Sequence, residues 1–259
     1  MDVLHALHQH RSIREYHPDK IEPELLNEIL SAGIRASSSG NMQSYSIIIT
    51  QDHALKQALY EPHMQQNMVV DAPVLITFCA DFRRMRKWLR LSHAPMNFDN
   101  FMSFMIGAID ATLVSQNVAL AAEAKGLGVC YMGSTLANCD KIGELLKLPE
   151  GVVPVVGFSL GYAAETPALR DRLPIESLVH YETYHDHSDE EIQQIYAERE
   201  TAGWARYMSY PNLKAMIEQS DVENLAQIYT KLKYTQESHI EFSQTVLRYL
   251  ENQGFMSNT

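Results

Sequence analysis

His10, Arg11, Ser12 and Arg14 put an imidazole, two guanidiniums and a hydroxyl within five residues. Guanidinium binds phosphate bidentately, and a serine hydroxyl with backbone N–H groups can complete the cradle. A second stretch, Arg170-Asp171-Arg172, adds two more guanidiniums. The chain carries 32 acidic and 21 basic residues, a formal charge of −11, so both clusters stand out. Their chemistry fits a pocket for one phosphate. It fits equally a set of surface arginines paired with acids such as Glu15 and Asp171.

Other stretches imitate known chemistry and fail on context. Gly157-Phe158-Ser159-Leu160-Gly161 matches the G-x-S-x-G nucleophile elbow. That elbow needs a strand before the serine and a helix directly after it. Tyr162 to Pro167 is too short for the helix and ends in proline, so Ser159 reads as a strand residue and a serine hydrolase as a remote alternative. Gly126-x-Gly128 lacks the third glycine of a dinucleotide loop, which would fall at Tyr131, and it lies between a helix and a strand in the reverse order. It reads as a helix end. His180, His185 and His187 with Asp186 and Asp189 suggest a metal. Acids at this point more naturally cap and open a solvated helix, so no metal is expected. Met96, Met102 and Met105 read as gap-filling side chains.

Several elements must position these residues. Val3 to Gln9 reads as a first short helix, and Pro18-Asp19 as a loop. Pro23 starts a helix whose apolar stripe is Leu25, Leu26, Ile29, Leu30 and Ile34. Ala36 to Asn41 is a run of turn formers. Strands are expected at 45–50, 73–80, 129–132 and 152–161, the second of them central because it is apolar for most of its length. Residues 81–100 read as a loop with some helix. Residues 101–125 form the longest helix, apolar around much of its circumference and so expected in the core. Residues 140–147 read as a short helix. Beyond Tyr162 the chain is loop and then mostly helix, at about 188–201 and 221–253. That remainder is too long for a single connection and must pack on the domain, on a partner subunit, or on both.

Composition sets the class. With 259 residues and 46% hydrophobic content, the chain can build a large core, as two small domains or one large one. The acidic balance argues against a dedicated nucleic-acid binder. Cys79, Cys130 and Cys139 form no CxxC pair and read as reduced thiols of a cytoplasmic protein. The N-terminus lacks a signal-peptide layout. The most membrane-like window, 101–122, contains Asp110, Gln116 and Asn117, so a buried helix is expected rather than a membrane span.

Six motifs in order carry a resemblance. They are His10 to Arg14; Ala36-Ser37-Ser38-Ser39 with Gln43; Gln66 ahead of Ala72-Pro73; Gly126-Leu127-Gly128 leading to Tyr131-Met132-Gly133-Ser134; Leu145 to Pro149; and Arg170 to Pro174. With them the chain resembles the nitroreductase family of FMN-dependent oxidoreductases, over about its first 185 residues. It is most similar to the NADPH-flavin oxidoreductase and oxygen-insensitive major nitroreductase branch. The resemblance implies an α+β fold: a mixed, mostly antiparallel sheet flanked by helices, forming one domain over 1–259, with a core of about 1–185 and a C-terminal helical extension of about 186–259. It implies a homodimer with the long helix at its interface and the C-terminal arm exchanged.

The same resemblance implies the site. His10, Arg11, Ser12 and Arg172 hold the FMN phosphate, with Ser38 helping from the neighbouring subunit or loop. Arg14 and Arg170 approach the ribityl chain and the pyrimidine edge, and Gln66 bonds that edge. Tyr131 and the backbone N–H groups around Gly133 and Ser134 face the ring. A fixed cation near a ring that becomes anionic on reduction stabilises the reduced form. The implied reaction is ping-pong: NADPH or NADH reduces the flavin, and a nitroaromatic, quinone, azo compound or free flavin reoxidises it. No side chain is assigned a catalytic role, because flavin N5 carries the chemistry. Met42, Arg199 and Arg206 are candidate substrate contacts, and Trp88, His93 and Phe98 candidate acceptor contacts. The arginine-rich segment expected for the NADPH 2′-phosphate is acid-diluted here, from Glu198 to Arg206, which leaves NADPH against NADH open. A flavin-binding member with weak reductase activity is the alternative function.

Overall fold

Strand β2 (Val74–Asp81) is buried at every position. The computed structural model, which describes residues 3–258, sets it second in a four-stranded antiparallel sheet ordered β1-β2-β4-β3. The partners are β1 (Tyr45–Thr50), β3 (Gly128–Tyr131) and β4 (Val152–Gly161). Pro154 lies within β4, where it cannot donate to the ladder. The β2–β4 register shifts at Phe78/Cys79, a bulge of the kind that admits proline into a paired strand. The mixed character comes from one parallel bridge, Ser12 to Val129.

The chain forms two compact units, residues 1–169 with 242–259, and residues 170–241. The first holds the sheet and α1 (Val3–Gln9), α2 (Pro23–Gly33), α3 (His53–Tyr60), α4 (Met68–Asp71), α5 (Arg83–Leu91), α6 (Phe101–Ala124), α7 (Ser134–Ala137) and α8 (Cys139–Leu145). The second holds α9 (Asp189–Ser209), α10 (Pro211–Glu218), α11 (Leu225–Gln227) and a π-helical turn, Ile228–Lys233. It has its own core of Tyr207, Ile217, Val222, Leu225 and Ile228. Helix α12 (Gln236–Asn252) begins at the second unit's end. Its Tyr249 and Leu250, with Phe255 beyond, pack against Phe82, Phe104 and Cys139 in the first.

Helix α6 divides into two faces. Ala111, Val114, Val118 and Ala122 are buried with Ile76, Phe78 and Phe158 of the sheet, each fully buried branched side chain contributing about 1.5–3 kcal/mol. At Gly107 a Cβ would stand 2.9 Å from the Ser44 carbonyl oxygen, so only glycine lets α6 approach that backbone. The opposite face is apolar and exposed, at Phe101, Met102, Met105, Ile109 and Leu113. The helix is the one stretch, among the described residues, long and apolar enough to cross a membrane. The expected place in the core holds for one side of the helix, and the other side is open.

Three helical readings are refined. Residues 83–91, within the 81–100 stretch read as loop with some helix, are helix α5. Residues 221–253, expected as one helix, become helical only at Leu225, where Asn224 caps by accepting from Gln227 N–H; a π-helical turn follows at Ile228–Lys233 and a separate helix starts at Gln236. The helix expected to end near Thr201 runs on to Ser209. Its start matches the reading: Ser188 and Glu191 form a capping box, with Asp189, Glu190 and Glu191 in the first turn.

Candidate functional site

The segment carrying His10 to Arg14 is fastened to the sheet. Ile13 N–H donates to the Val129 carbonyl at 2.9 Å, and Ser12 bridges Val129 in parallel. Gly128 makes this possible, since a Cβ there would lie 2.7 Å from Ile13 Cγ1. Tyr16 closes the loop. Its hydroxyl donates to the Ile13 carbonyl at 2.6 Å and is hydrogen-bonded at 2.8 Å to Ser159 Oγ. Ser159 is fully buried within β4, paired on both sides, so the nucleophile elbow is absent.

Each basic group has a definite place. His10 Nδ1 donates to Glu123 Oε1 at 2.6 Å. Arg11 donates from one terminal nitrogen to Gln9 Oε1, and its Nε is buried with no hydrogen-bond partner. Arg11 lines a pocket of about 220 Å³ with Gln9, Glu123, Gly128 and Glu165. Both acids are already engaged, Glu123 by His10 and Glu165 by the backbone N–H groups of Arg14 and Glu15. The Arg14 guanidinium is exposed.

Strand β3 runs from Gly128, past Val129 beside Ser12, to Tyr131, and Met132 and Gly133 lead from it into α7 at Ser134. A Cβ on Gly133 would meet nothing within 4 Å, so the backbone there faces open space. Ser134 is buried and hydrogen-bonded at 2.9 Å to His63 Nδ1. Gln66 Nε2 donates to the His63 carbonyl at 2.9 Å and approaches Ser134 Oγ at 3.5 Å. Burial without a charged partner pushes His63 down to about 4, so its imidazole is neutral. Tyr131 turns its hydroxyl to Ser115 Oγ at 3.2 Å and packs edge-on against Phe158; its side chain belongs to the core.

The Ser38 loop is held by a buried acid. Asp110 on α6 accepts from Ser39 N–H at 2.9 Å and from Ser44 N–H at 3.2 Å. Arg84 then fastens the Gln43 and Tyr45 carbonyls. Ser38 and Met42 are half-buried at either end of this turn. Asn41 and Gln43 here, and Met64 and Gln65 beside Gln66, have left-handed backbone (φ 52° to 58°). Strain of this kind on non-glycine residues persists where surrounding structure fixes it, often at ligand clamps.

In the second unit, Arg170 and Arg172 are exposed, and Arg172 donates to the Arg170 and Asp171 carbonyls. Arg199 donates from Nε to Asp171 at 2.8 Å, and Arg206 lies 3.8 Å from the same carboxylate. The hydrogen bond from Arg199 holds the Asp171 carboxyl below its ordinary range. Phe98 stacks on Phe82 at 4.9 Å and packs with the core rather than facing an acceptor, while Trp88 is exposed.

Sequence reasoning missed His63, Asp110 and Glu123 as partners of the expected residues. Their contacts lie 71, 71 and 113 positions away, and no local pattern marks them.

Comparison with known proteins bears on the family and the fold. The sequence model of the nitroreductase family matches residues 7–162. The chain is 33% identical over 239 residues to the FMN reductase [NAD(P)H] of Bacillus subtilis, covering 84% of this chain and 96% of that protein. It is 36% identical over 198 residues to the oxygen-insensitive NADPH nitroreductase of Salmonella typhimurium, covering 76% and 80%. The solved NADPH:FMN oxidoreductase of Vibrio harveyi, complexed with NAD+, superposes with a TM-score of 0.80 at 28% identity over 99% of each chain. A fold with one antiparallel sheet backed by a long helix, and a family match over more than half its length, place this chain in the nitroreductase family.

Proposed function

We propose that the protein is an FMN-dependent NAD(P)H oxidoreductase that passes two electrons to small acceptors such as nitroaromatics, quinones, azo compounds or free flavins. The observation that carries this is Arg11. It is a half-buried guanidinium with an unpartnered Nε, beside a serine fixed to the sheet, in a pocket whose acids are already engaged. That donor set suits a phosphate. From there strand β3 leads to the open backbone at Gly133, an arrangement that suits a ligand with an anionic end and a flat ring.

When bound, FMN supplies the hydride and electron chemistry at its ring. The chain's own residues do the rest. Arg11 and Ser12 bind the phosphate, with His10 beside them held by Glu123. Arg14 offers a cation to the ribityl chain or ring edge. Gln66 and the backbone at Gly133 and Ser134 orient the ring, and His63 fixes Ser134. The loop that carries Ser38 is held by Asp110 through Ser39 and Ser44, and Tyr131 by the core, so their parts are to shape the site's walls, with Met42 a substrate contact. Arg170 and Arg172 are assigned to the same cofactor on the resemblance alone.

The working unit is a homodimer. An apolar patch of this extent left in water on α6 is best covered by a second copy. Residues 242–258 are built into the first unit, so the exchanged arm lies within 170–241. The reading places the protein in the cytoplasm. Purified protein should be yellow and dimeric, and NADPH or NADH should bleach it in stopped-flow mixing. Arg11→Ala should raise the FMN dissociation constant at least ~10-fold, a loss of about 1.4 kcal/mol. Protein that stays colourless after FMN is added and the excess removed overturns the reading.

A further inference from the structure

Three imidazoles and a carboxylate gather where the loop before α9 meets that helix's first turn. His185 Nε2 lies 3.2 Å from each Glu191 oxygen, and His187 Nδ1 lies 3.9 Å from Oε2. The His185 and His187 rings are 4.8 Å apart, nearly perpendicular. One donor atom each from His185, His187 and Glu191 falls within 4.8 Å of the others. The His187 side chain is only 13% exposed, and its Nε2 is buried with no hydrogen-bond partner.

We propose that His185, His187 and Glu191 bind a divalent first-row transition metal, with zinc as the reference ion and water in the remaining position. Donors at ~2.0–2.1 Å on a tetrahedral ion stand ~3.3 Å apart. The His185–Glu191 pair already has that separation, and His187, 3.9 Å from Glu191 Oε2 with all three donors within 4.8 Å, closes on it with a shift of ~1.5 Å at most. Two imidazoles and one carboxylate suit zinc, nickel or copper rather than calcium or magnesium, which take oxygen donors.

The surroundings orient the set. His180 Nδ1 accepts the His185 backbone N–H at 3.2 Å, which fixes the turn and makes His180 a positioning residue. Ser188 N–H donates to Glu191 Oε2 at 2.8 Å and holds the carboxylate in place. Helix capping alone accounts for Ser188 and Glu191. It leaves the packing of two further imidazoles on His187 unexplained. All these residues belong to the second unit, so the site does not depend on the flavin reading. An ion there would clip the 180–187 loop to α9.

The test uses untagged, full-length, FMN-loaded protein. Titration calorimetry with Zn²⁺ should give one ion per chain, bound in the micromolar range or tighter. Co²⁺ should give the strong visible absorption of a tetrahedral site, beyond the flavin bands. Affinity should fall as pH drops through the histidine range, since ligand imidazoles must be neutral. His185→Ala and His187→Ala should each weaken binding at least ~10-fold. Glu191→Gln keeps the capping-box partner and should also weaken it, with helix content unchanged by circular dichroism. Millimolar binding, or binding that all three variants leave intact, overturns the proposal. A variant that misfolds is replaced by Glu191→Gln and by the wild-type pH series.

Discussion

His63 Nδ1 lies 2.9 Å from Ser134 Oγ, with both residues buried, and this contact ties the segment before α4 to the turn that follows β3. The folded imidazole titrates near 4, whereas an unfolded histidine titrates near 6.5. The native state therefore refuses a proton that the unfolded chain accepts. Stability is fully present above about pH 6.5 and falls as pH drops toward 4, by roughly 3 kcal/mol at most. His63→Asn should flatten the slope of the urea midpoint between pH 6.5 and 4.5. It should also weaken FMN binding by loosening Ser134. An unchanged slope would mean that His63 protonates in the folded state.

Tyr16 and Ser159 join the phosphate-loop segment to the core of β4. Ser159→Ala removes one neutral buried hydrogen bond, worth about 0.5–1.5 kcal/mol. The Tyr16 hydroxyl keeps its bond to the Ile13 carbonyl, so the loop should hold. The expected result is a small drop in melting temperature with NAD(P)H oxidation unchanged, measured side by side. Loss of an esterase activity in this variant would restore the serine-hydrolase reading.

The parts of the fold with strong periodicity were legible. Residues 45–50 and 152–161 appear as strands where β-branched runs predict them, and the helix at Pro23 starts where proline prefers to stand. The extent of helix α5 was hidden because Arg83, Arg84, Arg86, Lys87 and Arg90 leave little apolar signal; its hold on the fold comes from guanidinium bonds to distant carbonyls, such as Arg86 to Gly254. The six motifs pointed to the site's segments. What fixes those segments, Asp110 under the Ser38 loop and Glu123 against His10, is visible only once the chain folds. Which half of α6 is exposed was not legible from the residues, because an apolar residue reads the same whether a core or a second chain covers it; only the resemblance pointed to an interface on this helix.

Asp171 gathers Arg199 and Arg206, so neither guanidinium is a free anion receptor. Arg199→Ala should therefore slow flavin reduction by NADPH and NADH to the same extent, within about twofold, in stopped-flow at matched concentrations. A loss at least ~10-fold greater with NADPH, about 1.4 kcal/mol of selective binding, would instead make Arg199 a ligand of the 2′-phosphate. Asp171→Asn keeps the shape but frees both cations. If Asp171 restrains them, this variant should bind NADPH more tightly and NADH unchanged.

Ile109 stands at the centre of the exposed α6 face, one turn from both Met105 and Leu113, and is 52% exposed. Replacing it with glutamate leaves a lone chain unharmed, because the position faces water there. In a dimer the same charge is buried against apolar side chains without a partner, at a cost of several kcal/mol. Ile109→Glu should thus shift the protein from dimer to monomer in light scattering, with the fold retained by circular dichroism. The yellow colour retained by that monomer would report whether FMN binding uses a neighbouring subunit. A variant that remains dimeric and yellow would mean that another surface joins the subunits.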